Sequence, residues 1–179
     1  MNNSLPVRLV LYCICFAFLI SCAGVPAGIK PVSNFDLDRY LGEWFEIARL
    51  DHSFERGLSR VRASYSLNPD GSVRVINTGF SADDKEWREA IGKAQFVAAR
   101  DSGHLKVSFF GPFYGSYVVF RLGDDYEYAF VSGYNRDFLW LLARTATVEQ
   151  ELLSDFEQTA KQLGFDIEQL IIVEQDQVQ

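Results

Sequence analysis

The sequence predicts an all-β fold: an eight-stranded antiparallel up-and-down barrel with one α-helix packed outside it. Three observations predict it. Eight β-type segments follow one another between Gly42 and Thr145. Their connectors are short and rich in Gly and Asp, as in sequential hairpins. A single amphipathic stretch comes after the last strand, and no helices separate the strands, which argues against a parallel sheet. Closing eight strands into a barrel also removes the exposed sheet edges.

The chain opens with an address. Leu9–Ile20 is an unbroken apolar run preceded by Arg8. It is shorter than the ~20 residues a spanning helix needs. A positive start, a short apolar core and then small residues describe a secretory signal. The run ends in Leu19-Ile20-Ser21-Cys22, which resembles the bacterial lipoprotein box. That resemblance implies residues 1–21 as a lipoprotein signal peptide, cleavage before Cys22 and lipidation (a diacylglyceryl group on the sulfur, an acyl group on the new N-terminus, palmitate being the usual kind). The cysteine count is then accounted for. Cys13 and Cys15 leave with the leader, Cys22 carries the anchor, and residues 23–179 contain no thiol. One acyl chain anchors marginally, whereas several hold. Ala23, where an Asp would favour retention at the inner membrane, fits the outer membrane. Residues 22–34, Gly/Pro-rich and polar after the cysteine, read as a lipidated tether.

The barrel domain is expected over 35–175. Its strands are read at 42–51, 60–68, 72–80, 86–100, 104–110, 115–123, 126–133 and 138–145. Turns fall at Asn68-Pro69-Asp70-Gly71, Asp101-Ser102-Gly103 and Gly123-Asp124-Asp125. Val61, Ala63, Tyr65 and Leu67 alternate with Arg60, Arg62, Ser64 and Ser66, giving one dry and one wet face. Leu105, Val107 and Phe109 alternate in the same way, as do Val73, Val75 and Asn77. The first strand is apolar on both sides: Trp44, Glu46, Ala48 and Leu50 on one, Phe45 and Ile47 on the other. Its outer side needs a cover. The stretch 147–163 supplies one, because Val148, Leu152, Leu153, Phe156, Ala160 and Leu163 fall on one helical stripe. Thr147 with Gln150 reads as a capping box and Gly164 as the C′ residue. Leu170–Val173 reads as a last short strand.

Composition excludes several functions. The net charge is −7, and −8 once Arg8 leaves with the signal, so binding to nucleic-acid phosphates is disfavoured. Two histidines and no thiol after Cys22 leave little for a metal site, and no metal or cofactor is expected. No nucleophile-elbow, zinc-protease or phosphate-loop pattern occurs, so no catalytic residue is assigned. The aromatic content is 15%, and only Tyr12, Phe16 and Phe18 belong to the leader.

Phe35-Asp36, Tyr40-Leu41-Gly42, Trp44-Phe45-Glu46-Ile47-Ala48-Arg49, Asp125-Tyr126 with Tyr128-Ala129, and Leu139-Trp140-x-Leu142-Ala143-Arg144-Thr145 occur in order. Together they resemble the three signatures of the lipocalins, and with Cys22 they are most similar to the bacterial outer-membrane lipoprotein branch. The resemblance covers about residues 34–174. One departure is Asp124, where the family has Thr before the Asp-Tyr pair. The resemblance implies that Trp44 and Arg144 meet as a structural plug at the closed barrel floor. It also implies storage or transport of lipid for envelope maintenance, on a lipid-anchored protein facing the periplasm. Members of that branch can dimerise, which makes a second copy of the chain a candidate partner.

An eight-stranded barrel is just wide enough for one small ligand. Counting inward positions by twos gives a pocket of Tyr65, Val75, Asn77, Phe96, Val107, Phe109, Tyr117, Tyr128, Trp140 and Leu142, with Phe130 and Phe138 on the same parity and Glu46 as an isolated polar point. An apolar lining with few polar groups is the profile of a site for a fatty acid or lysophospholipid. The rim loops 51–59, 80–86, 110–115 and 134–137 bring His52, Phe54, Phe80, Phe110, Phe113, Tyr114 and Tyr134 to the mouth, with Arg56, Arg60, Arg62 and Arg136 to hold an anionic headgroup. Two other readings stay open: a structural envelope lipoprotein whose barrel is filled by its own side chains, and a lipid esterase.

Overall fold

The structure, a computed structural model, describes residues 24–175. The apolar leader, the cleavage site and Cys22 lie outside that range. A short helix α1 (Leu37–Tyr40) precedes β1 (Gly42–Leu50). Then come β2 (Leu58–Leu67), β3 (Val73–Ser81), β4 (Glu86–Phe96), β5 (His104–Phe110), β6 (Phe113–Leu122), β7 (Tyr128–Ser132) and β8 (Leu139–Ala143). Helix α2 (Gln150–Gln162) and strand β9 (Leu170–Ile172) follow, joined through a 3-10 turn at Ile167–Gln169. Each strand from β2 to β8 pairs antiparallel with the next. β1 closes the ring by pairing with both β8 and β2.

The seam at β1 is composite. Its first half pairs with β2, Gly42 opposite Tyr65 through Phe45 opposite Arg62. Its second half pairs with β9, Ala48 opposite Ile172 through Leu50 opposite Leu170. Beyond β9, the Gln175 side-chain amide donates to the carbonyls of Glu46 and Val61, bridging the two strands where their own ladder stops.

Several strand limits move from the expected ones, each for a local reason. β4 stops at Phe96, because residues 97–102 turn, with Ser102 N–H donating to Ala99 O and Phe35 N–H to Asp101 O. β7 starts at Tyr128, because Tyr126 holds a left-handed φ of 60° inside the Gly123–Tyr128 turn. In β1 the register shifts between Glu46 and Ala48. This bulge puts Ile47 and Ala48 together on the outer side and turns Arg49 inward. Ala48 and Leu50 therefore leave the face of Trp44 and Glu46 that simple alternation assigns them.

Helix α2 covers this outer side. Phe156 and Ala160 are fully buried there with Ile47, Ala48, Phe130 and Leu141. Phe156 meets the ring of Phe130 edge-on at 4.9 Å. The expected capping box does not form: the helix starts at Gln150 with Glu149 as N-cap, and the Thr145 hydroxyl fixes the extended lead-in by donating to Thr147 O. The other end closes as expected for glycine at C′. Gly164 has φ 81°, its N–H donates to Lys161 O, and Phe165 N–H donates to Ala160 O, a Schellman motif.

Residues 27–34 are not a free tether. Ile29 is buried in the outer cluster, Val32 N–H donates to Val119 O, and Gly103 N–H donates to Val32 O. The segment runs down the outer wall to Phe35 and α1, which lie across the barrel floor.

Candidate functional site

The floor is built around Arg144, at the end of β8. Its guanidinium sits 3.9 Å over the ring of Trp44. It donates to Arg39 O, Tyr40 O and Leu41 O, the carbonyls that α1 leaves without helical partners, and to Glu43 O. A planar fork with five donors suits such a ring of carbonyls. Trp44 is fully buried, and its indole N–H donates to Tyr40 O at 2.8 Å. The sequence reading pairs these two residues, and the structure places them in contact.

Above this plug three tyrosines meet. Tyr117 OH lies 2.6 Å from Tyr40 OH and 3.0 Å from Tyr65 OH. Burial raises the pKa of all three phenols, so each stays protonated. The tyrosine layer above the plug is thus neutral, and its hydroxyls are largely spent on one another.

Over the tyrosines opens a cavity of about 820 Å³ of empty space, its open mouth included. Eight of the ten expected pocket residues line it: Tyr65, Val75, Asn77, Val107, Phe109, Tyr117, Trp140 and Leu142. The small side chains of Ala63 and Ala94 give it width. Asn77 Oδ1 is buried without a hydrogen-bond partner.

Two expected residues are elsewhere. Phe96 lies low in the barrel against Phe35, centroids 6.2 Å apart. Tyr128 is on the outer wall, 5.4 Å from Phe130 under helix α2. In register, Leu142 faces Ala129 and Trp140 faces Val131. Since direct cross-strand partners share a face, Ala129 and Val131 point in, and Tyr128 and Phe130 point out. Alternation alone could not choose, because Tyr-Ala-Phe-Val is apolar on both parities.

One wall of the cavity is polar. Arg49 Nη1 donates to Glu46 Oε1 at 2.8 Å, and Arg49 Nη2 donates to the carbonyls of Glu55 and Leu58. Trp140 Nε1 donates to Glu55 Oε2 at 3.2 Å. Burial and the neighbouring Glu55 charge push the Glu46 carboxyl well up; burial also raises Glu55, against the pull of Trp140 and Arg49. One cation thus faces two carboxyls that resist ionising together. His52, expected at the exposed rim, is buried beside them, stacked on Phe54 at 4.1 Å. Burial, then Arg49, lower its pKa to about 4, so it is neutral. Its Nε2 lies 3.2 Å from Glu55 Oε2 without the geometry of a hydrogen bond. Arg49 and Glu55 were invisible to sequence reasoning. The bulge hides the first, and the second sits in a rim loop that folds back into the lumen.

The rim arginines are mostly occupied. Arg62 lies on the outer wall over Phe45 at 4.7 Å and near Glu43. Arg136 donates to Leu163 O and Ala27 O, tying the helix end to the N-terminal strap. Arg60 lies over Phe80 at 4.9 Å, and Arg56 pairs with Asp51. Neither Arg62 nor Arg136 is placed to hold a ligand headgroup over the mouth.

Among the described residues the histidines form no Ser–His–carboxylate chain: His52 lies against Phe54 and Glu55, His104 against Ser116 at 3.3 Å. No group of three His, Cys, Asp or Glu residues among them could hold a metal ion.

The comparisons with known proteins agree with this geometry. The family model of the lipocalin-like domain matches residues 35–175. The chain is 54% identical over 170 residues to the outer membrane lipoprotein Blc of Vibrio cholerae, covering 94% of this chain and 99% of the relative. It is 48% identical over 162 residues to the protein of the same name in Escherichia coli, covering 89% and 92%. In fold it is similar to insecticyanin of the tobacco hornworm Manduca sexta, with TM-score 0.66, 22% identity and coverage of 86% of this chain and 88% of that one. The chain belongs to the lipocalin family.

Proposed function

We propose that this protein is a lipid-anchored lipocalin of the bacterial outer membrane that holds the tail of a single-chain lipid, a fatty acid or lysophospholipid, in its barrel. Lipid storage or transport in envelope maintenance is the role that fits. The observation that carries the reading is a cavity walled mainly by apolar side chains, with one polar wall, plugged at the floor by Arg144 and Trp44 and open at the other end. Each CH₂ moved from water into such a lining contributes about 0.8 kcal/mol. A long acyl chain therefore gains on the order of 10 kcal/mol before the costs of association, enough for micromolar binding without a strong polar contact.

Tyr65, Val75, Val107, Phe109, Tyr117, Trp140 and Leu142 surround the tail. Asn77 offers its unpaired carbonyl to a ligand hydroxyl or a water. The spent tyrosine hydroxyls favour an apolar chain end at the bottom and a headgroup at the mouth. The anchor reading rests on Leu19-Ile20-Ser21-Cys22 and on the similarity to the outer membrane lipoproteins of Vibrio cholerae and Escherichia coli. A binding role is favoured over catalysis because, among the described residues, the one serine–histidine contact at the cavity wall, Ser116 with His104 at 3.3 Å, is not part of a Ser–His–carboxylate chain.

Native mass spectrometry of the protein as purified, and again after delipidation and incubation with oleate or lysophosphatidylcholine, tests this reading. One lipid per barrel is expected. A barrel that takes up none is filled by its own side chains, and the structural alternative then holds.

A further inference from the structure

The two ends of the barrel are unlike. At the closed end the turns are polar: Asn68 and Asp70, Arg100 and Asp101, Asp124 and Asp125. At the open end large aromatics stand in water. Phe110 is 80% exposed, Phe113 74% and Phe54 56%, and Tyr134 is exposed on the adjoining loop. Phe110-Gly-Pro-Phe113-Tyr114-Gly115 joins β5 to β6 and contains no charged residue. A cluster of this kind at one pole of a chain with net charge −7 marks a surface that something apolar covers.

The start of the described chain says what covers it. Ala27 O accepts from Arg136, a residue of the rim loop between β7 and β8. From there the chain runs down the outer wall to Val32, beside Val119 and Gly103. Cys22 precedes Ala27 by five residues, which span at most ~18 Å fully extended. The nine residues of β1 rise ~20 Å along a barrel whose strands tilt by the usual ~40°. An anchor at Cys22 therefore draws the mouth, not the floor, to the bilayer.

We infer that the Phe110–Gly115 loop and Phe54 form a lipid-docking surface, which inserts into the bilayer holding the anchor and seats the barrel mouth directly on it. A tail can then pass between membrane and cavity without crossing water. The neighbouring rim loops carry both signs (Asp83, Asp84 and Lys85; Arg136 and Asp137), so the contact works by insertion of aromatic rings rather than by attraction to anionic headgroups.

This inference rests on the anchor reading, and its test reads the two apart. The full chain is reconstituted in phosphatidylcholine vesicles with brominated acyl chains, as Phe113→Trp, as Asp125→Trp and unchanged. Mass analysis of the N-terminal peptide reports acylation of Cys22. The expected result is an acylated Cys22 and an added tryptophan emission that is quenched in Phe113→Trp but not in Asp125→Trp, beyond the signal of the parent chain. Phe110→Ser in the Phe113→Trp background reduces that quenching. With Cys22 acylated, quenching of Asp125→Trp alone, or of neither variant, overturns the docking surface and leaves the anchor standing. A doubled mass in solution, with the Phe113→Trp emission already shielded before vesicles are added, assigns the surface to a second copy and overturns it too. An unacylated chain that stays off vesicles overturns both.

Discussion

Arg144 carries more of the fold than any other charged side chain at the floor, because α1, the start of β1 and the end of β8 all terminate on its guanidinium. Removing it leaves the Arg39 and Leu41 carbonyls and a Trp44 face without partners, and leaves Tyr40 O with the Trp44 indole N–H alone. Arg144→Ala is expected to cost about 3 kcal/mol in urea unfolding, and Arg144→Lys to recover little of it, because an ammonium cannot serve several carbonyls in one plane. The buried polar wall sets the pH dependence. His52 stays neutral in the fold down to about pH 4, whereas the unfolded chain takes up its proton near ~6.5. Stability is therefore lost as pH falls through that window. Glu46 and Glu55 act in the opposite sense: their folded pKa values are raised, so stability is lost as pH rises above the unfolded carboxylate range. His52→Phe, which keeps the stack on Phe54, is expected to flatten the acid limb in urea midpoints measured across pH. An unchanged acid limb would place its cause elsewhere.

At the scale of elements, helix α2 is held to the barrel by one apolar stripe, and Phe156 is its centre. Phe156→Ala is expected to cost about 3–5 kcal/mol, because the ring fills a closed space between Phe130 and the outer side of β1. Denaturant midpoints with unchanged far-ultraviolet sheet signal would measure it. This helix was legible in advance, since its 3.6-residue period survives the error in its first turn. The strands were legible where one parity is wet, as in β2, β3 and β5. They were not where both parities are dry. Tyr128 and Phe130 exchange sides with Ala129 and Val131 because only the register with Leu142 and Trp140 decides. The same limit hides Arg49. A bulge has no signature in the run Phe45-Glu46-Ile47-Ala48-Arg49, so nothing in the sequence marks Arg49 as a buried lumen cation. Glu55 and His52 were missed as lumen groups because nothing local says that a polar rim loop folds inward.

At the scale of the whole molecule, the fold is a cup: plugged by Arg144 and Trp44, floored by three paired tyrosine hydroxyls, walled mainly by apolar side chains and open among exposed aromatics. Its working volume depends on small residues as much as on aromatic ones. Ala94→Phe, pointing into the cavity, is expected to weaken single-chain lipid binding about tenfold or more while leaving the sheet intact, since added carbon occupies the space of several tail methylenes. The central claim, that the cup is open to a lipid tail, is met most directly by titrating lysophosphatidylcholine into residues 23–179 and following the fluorescence of Trp140, which lines the cavity. A saturable change at micromolar lipid that disappears in Trp140→Phe is the predicted result. No saturable change with any single-chain lipid, in a protein whose sheet is intact, would contradict it.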